Sequence, residues 1–391
     1  MSLIRMITAG ESHGKCLTAI VDGLPAGLSV DLGYIQSQLR RRRLGYGRGA
    51  RMQIEDDRFE VTAGVRHGQT LGSPVTFVIA NRDWESWRIA MSAEAVPEAD
   101  RRELTRPRPG HADLAGALKH QTHDARDVLE RASARETASR VAIGAICRLL
   151  LRQFHIQIGS HVLAIGRARV PAAMENLDGS AILAIDPESA LRCADDVVAA
   201  QMMALIDQAA QEGDTLGGTA EIVAIGVPPG LGTHTQWDRR LDAMLASGLM
   251  SIPAVKAVEI GTGIASSAGT GSCVHDEIFY DEKRHRFYHS SNNAGGLEGG
   301  VTNGADLRAR IYVKPIPTLR KSLRSADLVT KKACAAAFER SDTCVVPAAG
   351  VVAEAMVGLV LTQAFLDKFG GDSMIELQAN YRSYCALLDA Y

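Results

Sequence analysis

Apolar residues recur at helical spacing at Leu32, Ile35 and Leu39, behind Ser29 or Asp31 as a cap, and predict a helix over residues 31–42 that ends in the run Arg40 to Arg43. A second helix is expected from Ser133, where Ser133-Ala134-Arg135-Glu136 has the form of a capping box; Ala138, Ala142, Ile146 and Leu150 follow on one face, and the small residues imply close packing. Alternating or β-branched runs predict strands over 59–66, 75–80, 218–227 and 307–314, and helices are expected at 198–211 and 236–249. The most apolar segment, 344–361, approaches a membrane-spanning length, but Glu354 sits at its centre, Pro347 is placed to open a helix and Gly370-Gly371 to close one. It reads as a core helix buried on all sides, with no membrane span.

Strands and helices mix without a steady βαβ rhythm. The expected fold class is therefore α+β, a single domain over 1–391 with internal helices sandwiched between antiparallel sheets. Gly261-Thr262-Gly263 has the outline of a dinucleotide loop, but no helical pattern follows it in SSAGTGSCVHDE, so a doubly wound sheet is not predicted.

Charge alters this picture. The chain is close to neutral at -2, yet residues 1–170 hold 25 Lys and Arg against 18 Asp and Glu, and the remainder 18 against 27. Such asymmetry points the N-terminal half at an anionic partner. Seven cysteines with no C-x-x-C pair signal neither a zinc knuckle nor a disulfide framework, and fit reduced thiols in the cytoplasm. No apolar leader opens the chain, which is not expected to be exported.

Four segments carry candidate chemistry. Gly10-Glu11-Ser12-His13-Gly14 sets an imidazole between glycines, where it could exchange protons near neutral pH or be an ordinary histidine. RRRRLGYGRGARM places Arg48 and Arg51 after the Arg40 to Arg43 run, on a glycine-rich turn suited to capturing carboxylate or phosphate. An RNA-binding arm has the same ingredients, but the near-neutral chain and the lack of repeated aromatics argue against nucleic acid. In TRPRPGHADLAG, Pro107 and Pro109 stiffen the chain around Arg108 and present His111; with Asp113, His120, His123 and Asp124 nearby it has no ligand frame for a metal. Arg131 and Arg135 flank Ser133 at a helix start, where free N–H groups favour an anion or the arginines are merely solvated. SSNNAGGLEGGVTNG suits a loop against a flat or phosphorylated ligand or a flexible surface loop, and Asp342 could be a structural carboxylate.

Together and in order, TAGESHG, RRRLGYGRGARM, GVRHGQTLGSPV, RPRPGHAD, ERASARET, GDTLGG, AVKAVEIG, NNAGGLEGG, KPIPT, RSDTCVVPAAGVV and FGGDS closely resemble the chorismate synthase family from about residue 8 to 373. That resemblance implies a homotetrameric lyase that eliminates phosphate from 5-enolpyruvylshikimate 3-phosphate, using reduced FMN with no net redox change. By the same resemblance, His13 would protonate the leaving phosphate, His111 would protonate or hold the reduced flavin, and Asp342 would act with the flavin in removing the C6 hydrogen. Ser12, Arg42, Arg48, Arg108, Arg135 and Arg340 would bind substrate. Flavin contacts would fall on Arg42, Arg48, Arg131, Ala132, Ser133, Pro253, Ala254, Gly299, Lys314, Pro315, Ile316, Pro317, Thr318 and Arg340, with Pro253 restricted to its carbonyl or ring. NADPH would serve only to reduce the flavin; a chain without large insertions leans towards an external flavin reductase. The competing enzyme class is a flavin oxidoreductase, which would consume NAD(P)H without the phosphorylated substrate.

Overall fold

The computed structural model describes residues 4–49, 54–283, 285–339 and 342–391. Near the N-terminus, β1 (Arg5–Ala9), β2 (Cys16–Asp22), β3 (Phe59–Ala63) and β4 (Val75–Ala80) form an antiparallel sheet in the order β1-β2-β4-β3. Alternation works here as expected: Leu17, Ala19 and Val21 of β2 and Val75, Phe77 and Ile79 of β4 are fully buried on one face. The strand expected over 59–66 is broken at Gly64, whose φ of 84° and close approach to the Pro74 carbonyl exclude a side chain, and resumes as a two-residue ribbon at Val65–Arg66.

The second sheet is larger and also antiparallel. Its strands β5 (Gln157–Ile165), β6 (Ala168–Arg169), β7 (Gly218–Ile225), β8 (Val255–Ile260) and β9 (Leu307–Val313) run in the order β8-β9-β7-β5-β6.

Between the sheets lie two long helices. After α1 (Leu32–Arg43), α2 (Asp113–His120) and α3 (Arg126–Ala132), helix α4 (Thr137–Arg152) packs on β2 and β4; following α5 (Asp196–Glu212) and α6 (Leu241–Met250), helix α7 (Val346–Phe369) packs on β5, β7 and β9. The two helices pack against each other, and α8 (Met374–Asp389) closes the chain. A side chain on Gly144 of α4 would collide with Ala355 of α7, and one on Gly358 would come within 2.8 Å of Arg148, so glycine sets how closely the helices approach. Nearly every residue of α7 from Val346 to Leu366 is buried, Glu354 completely, which makes it a core helix by its surroundings as well as its composition.

Local differences from the expected elements have plain causes. Asp31 caps α1 through the Tyr34 N–H at 2.9 Å. Ser133 caps a single 3-10 turn, Ala134–Glu136, and α4 starts only at Thr137. The capping box is not closed, because Glu136 accepts from Thr8 Oγ1 and Arg140 Nε, both at 2.9 Å, and so ties the helix start to β1. Helix α6 is preceded by a separate turn at Trp237–Arg239, and only the four-residue helix Gly263–Ser266 follows the glycine pair at 261 and 263. All seven cysteines are free thiols.

Candidate active site

A cavity of about 410 Å³ opens where the β1–β2 turn, the end of α1, the 108–112 turn, the end of α3 and the N-terminus of α7 meet. Ser12, His13, Arg42, Arg48, Arg108 and His111 line it, as do Ala132, Ser133, Arg135 and Asp342. Its other wall is largely apolar, built from Ile252, Pro253, Ala254, Ile316, Pro317, Val345, Ala349 and Val352, with Lys314 and Thr318 at its polar edge. The chain turns into this wall at Ala254, a non-glycine residue with φ of 70°, whose carbonyl takes the Lys314 N–H at 2.9 Å.

Both histidines are held through Nδ1 by a buried carboxylate. Glu130 accepts from the His13 backbone N–H and meets its Nδ1, each at 2.8 Å. The ring of His13 stacks on Trp87 at 4.0 Å, and its Nε2 lies 3.9 Å from Asp83. Burial alone would push the Glu130 carboxyl up; the hydrogen bonds and charge of His13, with Arg126 3.6 Å away, hold it below its ordinary value. At the second dyad, Asp113 lies 2.5 Å from His111 Nδ1 and accepts from Arg108 Nε at 2.8 Å and Nη2 at 3.0 Å. Arg108 Nη2 is also 3.0 Å from His111 Nδ1, but two N–H donors cannot bond each other; Nδ1–H donates to the close Asp113 carboxylate, which leaves Nε2 as the exchanging nitrogen. Burial opposes ionisation of Asp113, and His111 and Arg108 outweigh it, so its carboxyl lies far below the usual range.

The arginines are set in the same manner. Asp57 receives Arg42 Nη2 at 2.7 Å and also pairs with Arg135 Nη1, so one carboxylate orients two guanidinium groups. Against the cost of its burial, those two charges hold the Asp57 carboxyl down to about 2. Arg135 donates further to Asn81 at 2.8 Å, and Arg42 to Thr137 at 3.3 Å. Asp342 pairs with Arg48 at 2.6 Å and accepts the Gly49 N–H at 2.6 Å. Burial lowers the pKa of Arg48 and Asp342 opposes the shift. Ser12 donates to Ser133 Oγ at 2.9 Å, joining the β1–β2 turn to the end of α3.

Not every residue singled out in the sequence lines this cavity. Arg131 turns away to the carbonyls of Thr8 and Gly10 at 2.9 and 3.1 Å. Pro315 is exposed beside the lining, and Gly299 is exposed at a hairpin tip near His234. Arg51 and Arg340 lie outside the described residues. Glu130, Asp57, Asp113 and Trp87 carried no assignment from sequence reasoning. Glu130 and Asp113 stand inside the ERASARET and RPRPGHAD strings, whereas Asp57 and Trp87 are picked out only by their partners in space.

Known proteins resemble this chain over its whole length. The family model described as chorismate synthase matches residues 4–366. Chorismate synthase of Solibacter usitatus (strain Ellin6076) is 51% identical over 390 residues, covering 100% of both chains, and that of Desulforudis audaxviator (strain MP104C) is 54% identical over 384 residues, covering 98% of this chain and 97% of its own. A solved structure titled "Crystal Structure of Chorismate Synthase" superposes with a TM-score of 0.79 at 39% identity, over 100% of this chain and 99% of the other. With the fold, the sequence and full-length relatives in agreement, the chain belongs to the chorismate synthase family, the lyases that convert 5-enolpyruvylshikimate 3-phosphate into chorismate.

Proposed function

We propose that the cavity bearing His13, His111 and Asp342 is the active site, where phosphate leaves C3 and a hydrogen leaves C6 of 5-enolpyruvylshikimate 3-phosphate in a 1,4-anti-elimination. The observation that carries this reading is the convergence of those three residues and four arginines on one cavity. Two carboxylates and a phosphate on the substrate match guanidinium groups whose planes are already fixed by Asp57, Asp113 and Asp342. His13 protonates the departing phosphate from Nε2, since Glu130 holds its Nδ1. Asp342 acts with the flavin in removing the C6 hydrogen, and its contacts with Arg48 and Gly49 keep the carboxylate in place.

The family uses reduced FMN. The apolar wall of Ile252, Pro253, Ala254, Ile316 and Pro317 suits a flat ring, and Lys314 beside it suits a phosphate, so the lining fits such a group. When bound, reduced FMN supplies electron density as phosphate departs and regains it within the turnover. His111 lines the same space and would protonate or hold the reduced flavin there, with Asp113 orienting its ring. Ala132, Ser133 and Thr318 close the contact; Arg131, Pro315 and Gly299, beyond the lining, are further candidate contacts, and so is Arg340. An external reductase supplies the reduced flavin, with NADPH reaching the chain only through it. We read residues 1–391 as one domain of a cytoplasmic homotetramer; the single large core that takes in both sheets supports the first point.

The decisive assay is anaerobic, with 5-enolpyruvylshikimate 3-phosphate and chemically reduced FMN, following chorismate absorbance and phosphate release. Equal yields of both are expected, with none when NADPH replaces the reductant. NADPH oxidation by the isolated chain without the phosphorylated substrate would instead favour a flavin oxidoreductase, and light scattering tests the tetramer.

A further inference from the structure

A second cavity, of about 220 Å³, shares no lining residue with the active site. Arg41, Arg148, Arg152 and Arg192 border it, together with Tyr34 and Ser160. Behind it stands Glu354, completely buried, which pairs with Arg41 at 2.7 and 2.8 Å and with Arg148 at 2.9 Å, and accepts from Ser160 at 2.7 Å. Arg192 reaches the same carboxylate only at 3.9 Å.

The charges here do not balance. Three guanidinium groups, those of Arg41, Arg148 and Arg192, are largely or wholly withdrawn from solvent around one carboxylate, and no Asp or Glu is among the lining residues. Arg152, at the rim, adds a fourth positive charge; it lies 4.8 Å over the Tyr34 ring and pairs with no carboxylate among the described residues. Gln38 Oε1 is already taken by Arg41 and Arg148. Meanwhile Arg192 Nη1 and Arg41 Nε are buried without a hydrogen-bond partner, and burial pulls Arg192 down to about 10. A buried, uncompensated cation is costly, and a cavity beside it large enough for several waters invites an anion.

We propose that this cavity is a second, non-catalytic binding site for a small dianion of the phosphate class. A tetrahedral oxyanion accepts from several guanidinium groups at once, and Tyr34 and the rim Arg152 give it a neutral and a charged donor near the entrance. Arg41 borders this site while its neighbour Arg42 borders the active site.

Equilibrium dialysis of the full chain with labelled inorganic phosphate tests the proposal, run beside malonate and in an Arg48→Ala background that weakens the hold of the active site. Binding of a single phosphate per chain is expected to survive Arg48→Ala, to weaken about tenfold or more on adding Arg152→Glu, and to return with Arg152→Lys. Arg152 is exposed, so these variants are expected to fold, and an unchanged unfolding temperature checks it. Phosphate binding that is indifferent to Arg152→Glu, that vanishes with Arg48→Ala alone, or that is absent while malonate binds would each overturn the assignment. Because no arm measures turnover, the result is independent of the activity assigned to the other cavity.

Discussion

Arg41 and Arg42 are consecutive in α1 and border different cavities, yet each pairs at 2.7 Å with a buried carboxylate of its own, Arg41 with Glu354 and Arg42 with Asp57. A helix turns about 100° per residue, so neighbouring side chains leave it in different directions, and a run of arginines can serve two sites. Both carboxyls are held down to about 2, against burial that would raise them.

Since the folded-state pKa of Glu354 lies below its ordinary 4.5, its contribution to stability is complete above that value and is lost as pH falls towards 2. The shift corresponds to about 3 kcal/mol. Glu354→Gln should therefore cost about 3–5 kcal/mol at neutral pH, because three buried arginines lose their counter-charge, and should flatten the acid limb of stability. Urea unfolding of the two chains between pH 7 and pH 3 measures both effects; a variant as stable as the parent would contradict the burial argument.

Much of this architecture is legible in the sequence. The cap at Asp31, the start near Ser133 and the buried character of α7 follow from local pattern, because each depends on residues within one or two turns. Strands β1, β2, β5 and β8 had no prediction: β5 is buried on both faces, which erases alternation, and β1 is a short edge strand. The histidines and arginines of the site stand out by motif, but their carboxylate partners do not. Glu130 is far from His13 in the chain, and Asp57 finds Arg42 and Arg135 only after two helices and a sheet have closed.

The Glu130 carboxylate contacts His13 and Arg126 and no side chain assigned to the substrate. Glu130→Gln should lower kcat about 10- to 100-fold with little change in KM, and His13→Ala should lower it about 10-fold to 10⁴-fold. Anaerobic steady-state kinetics decide the matter, and normal kcat in both would remove His13 from the proton transfer.

Asp113 has a double duty, to His111 and to Arg108, so Asp113→Asn should damage kcat and KM together, each about tenfold or more. An effect on KM alone would mean that His111 does not need its carboxylate partner.

Gly144 tests the helix packing. Gly144→Ala introduces a methyl group where Ala355 already sits and should cost about 1–3 kcal/mol, read as a lower denaturation midpoint without loss of turnover in the folded fraction. An undiminished midpoint would mean that the helices have room to separate.

The face-to-face contact of His13 with Trp87 also equips the site with its own optical reporter. A protonated imidazole quenches an excited indole more strongly than a neutral one, so emission from Trp87 should follow the protonation of His13 directly. The other two indoles, Trp84 three residues before it and Trp237, which is 79% exposed, can be removed as background. The proton inventory of the active site can then be read in the light the protein emits, without substrate, flavin or turnover.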